Sequence, residues 1–327
     1  MIVLSDTIDY AAELLPQEAV SRLSSESVPD PAILPLIQSL YEEGVDLLST
    51  SLPDLTWRYL FLSECTSHSQ YDQMIELARS TAELPDRILC LAGSGSGLHG
   101  YKGRGWSAVA GNIHLTVHLT PKRPIERFET AFTILAALSV VDAIDGVPGL
   151  ESRARIKWVN DILIDGAKVA GILAYTQTRE RTVSSAVLGI GLNVETAPTV
   201  DPTPFVPSVG SVRDFAPDAL SATQGVILDS LLNALARNYQ LLLEEGYTPL
   251  LERYRERAGL IGSKIAVCSE DSDSDPSVIA EGRVVAMGEG LELYLENRDE
   301  PVTKGRLILG NPESQKLMEG FVASKGR

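Results

Sequence analysis

Residues 93–106 read GSGSGLHGYKGRGW, and this glycine-rich run constrains the fold more than any other segment. Its G-x-G-x-x-G spacing is typical of dinucleotide-binding turns, in which a helix follows the glycines and holds the pyrophosphate. Here the run lies between two strand-like segments, RILCLAG and NIHLTVHL, and no helix follows it. A P-loop is also excluded, because no Gly-Lys-Ser/Thr opens a helix. The run is therefore either an exposed linker or a loop that wraps an anion with backbone N–H groups, Lys102 and Arg104.

Hydrophobic patterns divide the chain into three parts. Residues 1–55 hold two amphipathic stretches, around 10–24 and 33–48, and are interpreted as a helical extension of unknown role. In residues 56–259 strands are predicted for WRYLFLSE, RILCLAG, NIHLTVHL, ARIKWV, AKVAGILAYTQ and SSAVLGIGLNV. Helices are predicted there for SQYDQMIELARSTAE, PIERFETAFTILAALSVVDAID, ALSATQGVILDSLLNALARNYQLLLEEG and YTPLLERYRERAG. Residues 260–327 carry four short strand-like runs, which predict a small all-β barrel or sandwich.

Charge and composition limit the function classes. The formal net charge of −16 argues against a general affinity for nucleic acid or anionic membranes. The sequence contains no run of about 18 apolar residues, and its start lacks the basic region of a signal peptide. The three cysteines are an odd number without metal-type spacing. These features predict a cytoplasmic protein with reduced thiols and no DNA or membrane partner.

A second motif, KWVNDILIDGAKVAGIL, starts at Lys157. Asp165-Gly166 is a strong signal for a tight hairpin, so paired strands would bring Asn160 and Lys168 to one patch. Gly171 follows on the second strand, where its backbone can lie close to a ligand. Downstream, VLGIGLNV ends a third strand at Asn193.

In these motifs the sequence resembles the biotin protein ligases of the biotin/lipoate ligase superfamily. That family has K-W-P-N-D, then a lysine ahead of A-G-I-L, then G-I-G-[IL]-N-[VM]. This chain has the three motifs in that order, with Val159 in place of the proline. The end of the glycine run, Gly103–Trp106, resembles the end of the family's G-R-G-R-x-G-R-x-W loop, and Glu64–Ser67 resembles its D-S-T-N helix start. The resemblance covers about residues 56–320. It implies an α+β fold, with a class II synthetase-like mixed sheet, flanking helices and a C-terminal SH3-like β-barrel.

The resemblance also implies the site. Lys168 and Arg104 would be catalytic, and Cys65 would be a small buried side chain at the pocket wall. Biotin would be held by Cys65, Thr66, Ser67, Lys168 and Gly171. The nucleotide would be held by Lys102, Gly103, Arg104, Trp106, Lys157, Asn160 and Asn193. Asn160 and Asn193 would hold phosphate and metal. No separate metal site is expected, because the four histidines lack ligand spacing.

The implied reaction has two steps, in which biotin and ATP form biotinyl-5′-AMP and a carrier lysine then accepts the biotin. ATP and Mg²⁺ are the expected cofactors, and a biotin carboxyl carrier protein or domain is the expected partner. A homodimer is possible.

Two departures from the family pattern leave alternatives open. Serines replace arginines in the front of the loop, Gly93–Ser96, and the D-S-T-N start is changed. The first alternative is an adenylate-forming ligase for another acid, such as lipoate or octanoate. The second is a non-catalytic protein that binds biotin or its adenylate and acts as a regulator.

Overall fold

The computed structural model describes residues 1–15, 21–22, 30–41, 48–51, 56–80, 83–270 and 277–309. Its strands are β1 (Ile2–Ser5), β2 (Ser21–Arg22), β3 (Leu48–Ser51), β4 (Tyr59–Thr66), β5 (Ile88–Gly95), β6 (Ile113–Leu119), β7 (Ala154–Lys157), β8 (Asp161–Ile164), β9 (Ala167–Arg179), β10 (Thr182–Leu192), β11 (Lys264–Cys268), β12 (Val278–Met287), β13 (Leu293–Leu295) and β14 (Arg306–Leu309). Its α-helices are α1 (Ile8–Leu14), α2 (Leu34–Leu40), α3 (Gln70–Ser80), α4 (Phe128–Asp145), α5 (Val212–Phe215), α6 (Gln224–Glu244) and α7 (Thr248–Ala258).

The first ten strands form one mixed sheet in the order β2-β3-β1-β4-β5-β6-β10-β9-β8-β7. The pairs β1–β4 and β4–β5 are parallel, and the other neighbouring pairs are antiparallel. Helix α4 packs against β9 and β10 and also contacts α6 and α7, while α3 contacts β6 and β10 together with α2. Two separate clusters of buried apolar residues accompany these helices. The α+β fold with a mixed sheet and flanking helices is therefore confirmed.

Both faces of the central strands are covered, because β6 is buried at every position from Ile113 to Leu119. The alternating pattern of that strand predicts a half-buried strand, so its full burial is a difference from the sequence interpretation. Burial holds the pKa of both His114 and His118 down at about 4, well below the usual 6.5. These two histidines are therefore neutral near pH 7.

The N-terminal segment is not purely helical, and the prediction of a helical extension was wrong in this respect. Helices α1 and α2 are short, and the remainder of the two predicted helices lies partly outside the described residues. Strand β1 instead pairs in parallel with β4, because Ile2-Val3-Leu4 is a short apolar run that extends the sheet edge. The Asp6 carboxylate accepts a hydrogen bond from Glu64 N at 3.1 Å. The first residues thus share one sheet with the segment that carries the candidate site.

The hairpin between β8 and β9 and the C-terminal strands agree with the sequence predictions. Asp165 and Gly166 join β8 to β9 with positive φ values of 50° and 87°, which confirms the tight hairpin. The last four strands form a separate antiparallel sheet in the order β13-β12-β11-β14. Among the described residues, no helix is long and apolar enough to cross a membrane.

Candidate active site

Two adjoining cavities open between the glycine loop and the strands β8, β9 and β10. The first, which we call the inner cavity, is floored by Gly171, Gly189 and Gly191. The second, the outer cavity, has a volume of about 680 Å³ and reaches the C-terminal sheet. The residues that line both cavities are Tyr101, Arg104, Gly105, Trp106, Asn160, Asp161 and Lys168. The two spaces therefore share a wall that holds a lysine, an arginine and a carboxylate.

The centre of this wall is the ion pair between Lys168 and Asp161. Lys168 Nζ lies 2.6 Å from Asp161 Oδ1, and each side chain is about one-fifth exposed, at 21%. The pairing follows from the hairpin, because β8 begins at Asp161 and Lys168 is the second residue of β9. Burial acts to raise the pKa of Asp161, but Lys168 and Lys157 outweigh it and hold this pKa below the usual 3.8. Asp161 is thus ionised and keeps Lys168 in place.

Several cations converge on the outer cavity. Lys157 is buried and donates a hydrogen bond to the carbonyl oxygen of Phe205. Burial lowers its pKa to about 8 despite the opposing effect of Asp161. Arg306 of β14 lines the same cavity, and burial together with Arg104 lowers its pKa to about 10. Like charges gathered in a partly buried cleft raise the local concentration of an anion and favour its binding.

The glycines of the inner cavity make room for two aromatic rings. Gly191 lies opposite Gly171 in the β9–β10 pairing, and a Cβ at Gly191 would overlap the Trp106 ring. A Cβ at Gly189 would lie 3.0 Å from the ring of Tyr71. The glycines of the G-I-G-L-N segment are therefore required by the close approach of these rings.

Trp106 is oriented by a histidine that the sequence interpretation did not assign to the site. Its indole Nε1 donates to His114 Nδ1 at 3.2 Å, and His114 Nε2 lies 3.3 Å from the carbonyl oxygen of Val109. A neutral imidazole with its proton on Nε2 satisfies both bonds, in agreement with the low pKa of His114. His114 thus fixes the orientation of the Trp106 ring, which packs against Gly171 and Gly191.

The structure brings most of the predicted site residues together. Lys168, Arg104, Trp106 and Asn160 line both cavities, Gly171 lines the inner one, and Lys157 and Asn193 line the outer one. Asn160 donates from Nδ2 to the carbonyl oxygen of Ile172, and Asn193 donates from Nδ2 to that of Gly210. Lys102 and Gly103 lie at the tip of the loop, and Lys102 forms an ion pair with Glu270. Trp158 is buried and donates to the carbonyl oxygen of Leu291.

The Cys65–Ser67 segment is placed differently from the expectation. Cys65 is exposed, so its description as a buried side chain in the pocket wall was wrong. The buried part of β4 ends at Ser63, and Glu64 and Cys65 are exposed although the strand continues to Thr66. Ser69, Gln70 and Tyr71, at the start of α3, line the inner cavity instead of Cys65, Thr66 and Ser67. The sequence signal for them was the predicted helix start at Ser69, because the helix that follows packs on the central strands β6 and β10.

The oxygen donors of the outer cavity suit a divalent cation that arrives with a polyphosphate. Asn193 is 1% exposed, and its Oδ1 has no hydrogen-bond partner within the described part of the chain. Asp161 supplies a carboxylate to the same cavity. Across the described ranges there is no cluster of three or more His, Cys, Asp or Glu that could hold a metal. One or two protein oxygens plus phosphates are typical of Mg²⁺.

Fold and site together define a protein of the α+β class with two joined cavities that share Lys168 and Arg104 in their wall. Residues 63–193 match the model of the biotin/lipoate A/B protein ligase family. The biotin–[acetyl-CoA-carboxylase] ligase of Mycobacterium tuberculosis is 33% identical over 218 residues, which is 64% of this chain and 75% of that protein. The corresponding ligase of Paracoccus denitrificans is 32% identical over 54% of this chain and 72% of that protein. The chain therefore belongs to this family, among the biotin protein ligases.

Other relatives differ in extent. The bifunctional ligase/repressor BirA of Bacillus subtilis is 32% identical over 191 residues, and the matched part is 57% of that protein's length. A solved structure of biotin protein ligase from Aquifex aeolicus in complex with biotin and ATP superimposes with a TM-score of 0.54 at 17% identity. The superposition covers 77% of this chain and 98% of the A. aeolicus chain, which shows that the two share a fold.

Proposed function

We propose that this chain is an ATP-dependent biotin protein ligase that acts on a lysine of a biotin carboxyl carrier domain. The observation that carries the proposal is the position of Lys168, which lines both cavities at their junction. The named relatives from M. tuberculosis and P. denitrificans are biotin–[acetyl-CoA-carboxylase] ligases, which supports the acid and the carrier. Residues 56–259 would form the catalytic domain and residues 260–327 an SH3-like domain.

The first step joins the acid to the nucleotide. A biotin carboxylate oxygen attacks the α-phosphorus of ATP, a new P–O bond forms, and the bond to the β-phosphate oxygen breaks with release of pyrophosphate. With biotin in the inner cavity and ATP in the outer one, Lys168 and Arg104 lie between the reacting groups. Their positive charges stabilise the negative charge on the phosphoryl oxygens as it develops. Mg²⁺ bound with ATP would neutralise further polyphosphate charge near Asn193 and Asp161.

The second step needs no enzyme nucleophile. A neutral lysine amine of the carrier attacks the acyl carbon of biotinyl-5′-AMP and forms the amide bond. The bond between the acyl carbon and the phosphate oxygen breaks, AMP leaves with that oxygen and the electron pair, and the amine proton passes to water. Lys168, held 2.6 Å from Asp161, remains near the acyl oxygen and stabilises its charge. The glycine loop and Trp106 cover the adenylate and shield it from water.

The test is biotin transfer to a carrier domain. The protein is incubated with ATP, Mg²⁺, biotin and a biotin carboxyl carrier domain, and the mass of the carrier is measured. We expect a gain equal to one biotinyl group, and no gain on a carrier whose acceptor lysine is replaced by arginine. Lipoate and octanoate serve as competing acids. Modification of the carrier by one of these acids but not by biotin would overturn the assignment of the acid.

A further inference from the structure

The glycine loop folds back on itself as a small flap. Trp106 N donates to the carbonyl oxygen of Leu98 at 3.0 Å, and Gly100 N donates to that of Arg104 at 2.6 Å. Lys102 and Gly103 at the tip have positive φ values of 58° and 73°, as a tight reversal of the chain requires. We call residues 98–106 the flap. Its base lies beside α3, and its tip reaches the C-terminal sheet.

The base of the flap is tied to α3 through a histidine. His99 Nε2 lies 2.7 Å from Asp72 Oδ2, and His99 Nδ1 lies 3.0 Å from the carbonyl oxygen of Gly100. Both partners are acceptors, and a neutral imidazole carries only one N–H, so the two bonds together require the imidazolium form. The Gly100 and Asp72 bonds accordingly raise the pKa of His99 above the usual 6.5.

Other titratable groups surround the same ring. Tyr71 on α3 and Tyr101 and Arg104 on the flap line the inner cavity with His99, as do Asp161 and Lys168 on the opposite wall. Asp161 is already paired with Lys168, and burial raises the pKa of Tyr71, so this phenol stays neutral. Asp72 is thus the carboxylate that pairs with protonated His99.

The tip of the flap is tied to the C-terminal sheet through a lysine. Lys102 Nζ lies 2.8 Å from Glu270 Oε2, two residues after the end of β11. Glu270 also lines the outer cavity, so this contact links the flap to the wall of that cavity. Because the two ties lie at opposite ends of the flap, they hold it down on both sides of the cavities.

We propose that the His99–Asp72 and Lys102–Glu270 pairs are positioning contacts that fasten the flap over the two cavities and set how long a bound adenylate is retained. The statement about the adenylate rests on the proposed function; the fastening of the flap does not. Only protonated His99 makes both hydrogen bonds and carries the charge that attracts Asp72. This ionic attraction is therefore present at pH 6 and is lost as the pH rises through the raised pKa of His99. The tie at Lys102 contains no histidine, which is the side chain whose charge ordinarily changes between pH 5 and pH 8.

The first experiment measures flap opening without any ligand. Amide hydrogen exchange of the peptide that spans residues 98–106 is followed at pH 6 and pH 9 and corrected for intrinsic rates. We expect Asp72→Asn to speed exchange about two- to fivefold at pH 6 and to have little effect at pH 9, as a partly exposed ion pair should. Glu270→Gln should speed it by a similar factor at both pH values.

Matched controls come from the same elements. Glu76→Gln changes another exposed carboxylate of α3, and Glu281→Gln breaks the exposed pair with Lys264 in the C-terminal sheet. In both control variants the amides of the flap should exchange at the same rate as in the unmodified protein. The double variant Lys102→Glu with Glu270→Lys should return exchange towards the starting rate, because the reversed pair keeps the attraction. The proposal would be overturned if the exchange rate of the flap stayed unchanged in Asp72→Asn and Glu270→Gln. It would also be overturned if the double variant did not return the rate towards that of the unmodified protein.

The second experiment measures the release of preformed biotinyl-5′-AMP from each variant. We expect release to be about two- to fivefold faster in Asp72→Asn at pH 6 and in Glu270→Gln, with an unchanged rate in the two controls. Faster flap exchange with unchanged adenylate release would refute the retention role. Failure of the unmodified protein to form any adenylate would count against the proposed function, while the exchange experiment would still decide the fastening of the flap.

Discussion

Lys168 and Asp161 form an ion pair of 2.6 Å at the one wall that the two cavities share. We therefore expect Lys168→Ala to lower adenylate formation at least 100-fold, because it removes the cation at the junction. Pyrophosphate release measures this loss, and circular dichroism checks that the fold is retained. Lys264→Ala, which removes a lysine that is 72% exposed on the C-terminal sheet, is the control. Normal turnover in Lys168→Ala would show that the junction is not the reacting centre.

Gly191 lies beneath the Trp106 ring, and Gly171 lies opposite it in the paired strand. Gly191→Ala should displace the ring, since a Cβ there would overlap it, and should raise the KM for biotin by tenfold or more. In Gly171→Ala the new Cβ would meet Trp106 Cζ3 at 3.4 Å, an ordinary contact, so the rise should be smaller. Steady-state kinetics of both variants tests this order, and a larger defect in Gly171→Ala would contradict it.

Arg306 brings a cation from the C-terminal sheet into the outer cavity, 3.7 Å over the ring of Phe205. We expect Arg306→Ala to raise the KM for ATP about 10- to 100-fold, the size of a lost charge-assisted contact. The KM for biotin should stay within about twofold, because Arg306 does not line the inner cavity. Arg298→Ala, at an exposed arginine in the loop that follows β13, is the control. An equal rise in both KM values would indicate a general structural defect.

Because two histidines are buried in their neutral form, we expect the protein to lose stability in mild acid. His114 and His118 have pKa values of about 4 in the folded protein, against 6.5 in the unfolded chain, so their contribution is complete above pH 6.5. As the pH falls from 6.5 towards 4, the unfolded state binds more protons and stability decreases. Each histidine should remove about 1–2 kcal/mol between pH 6.5 and pH 5.

Urea denaturation at these two pH values measures the loss. His118→Gln should flatten the pH dependence by about half, because one of the two buried histidines is gone. A stability that rises between pH 6.5 and pH 5 would contradict the burial of these neutral histidines.

Much of the fold follows from local patterns. The hairpin at Asp165-Gly166 and the strands that flank the glycine loop occur in the structure as predicted. The helix predicted for residues 124–145 is also present, but it begins at Phe128 and is buried on most of its surface. Strand β1 was missed because three apolar residues near an N-terminus do not distinguish a strand from the start of a helix. Its partner, β4, lies more than fifty residues away in sequence.

The site was predicted where its residues are close together in sequence. Asn160, Lys168 and Gly171 meet because one hairpin carries them. Arg306 and Glu270 were missed because only the packing of the C-terminal sheet beside the loop brings them to the outer cavity. The error at Cys65 has a local cause, since β4 stays a strand to Thr66 while its burial ends at Ser63. Strand propensity alone does not indicate which residues of a strand are buried by neighbouring helices and strands.

The central claim is that this chain activates biotin as an adenylate, and isotope exchange between pyrophosphate and ATP tests it most directly. The unmodified protein is incubated with ATP, Mg²⁺ and labelled pyrophosphate, with or without biotin, lipoate or octanoate. We predict that label enters ATP only when biotin is present and that Lys168→Ala abolishes the exchange. Exchange with lipoate or octanoate but not with biotin, or no exchange with any acid, would contradict the account.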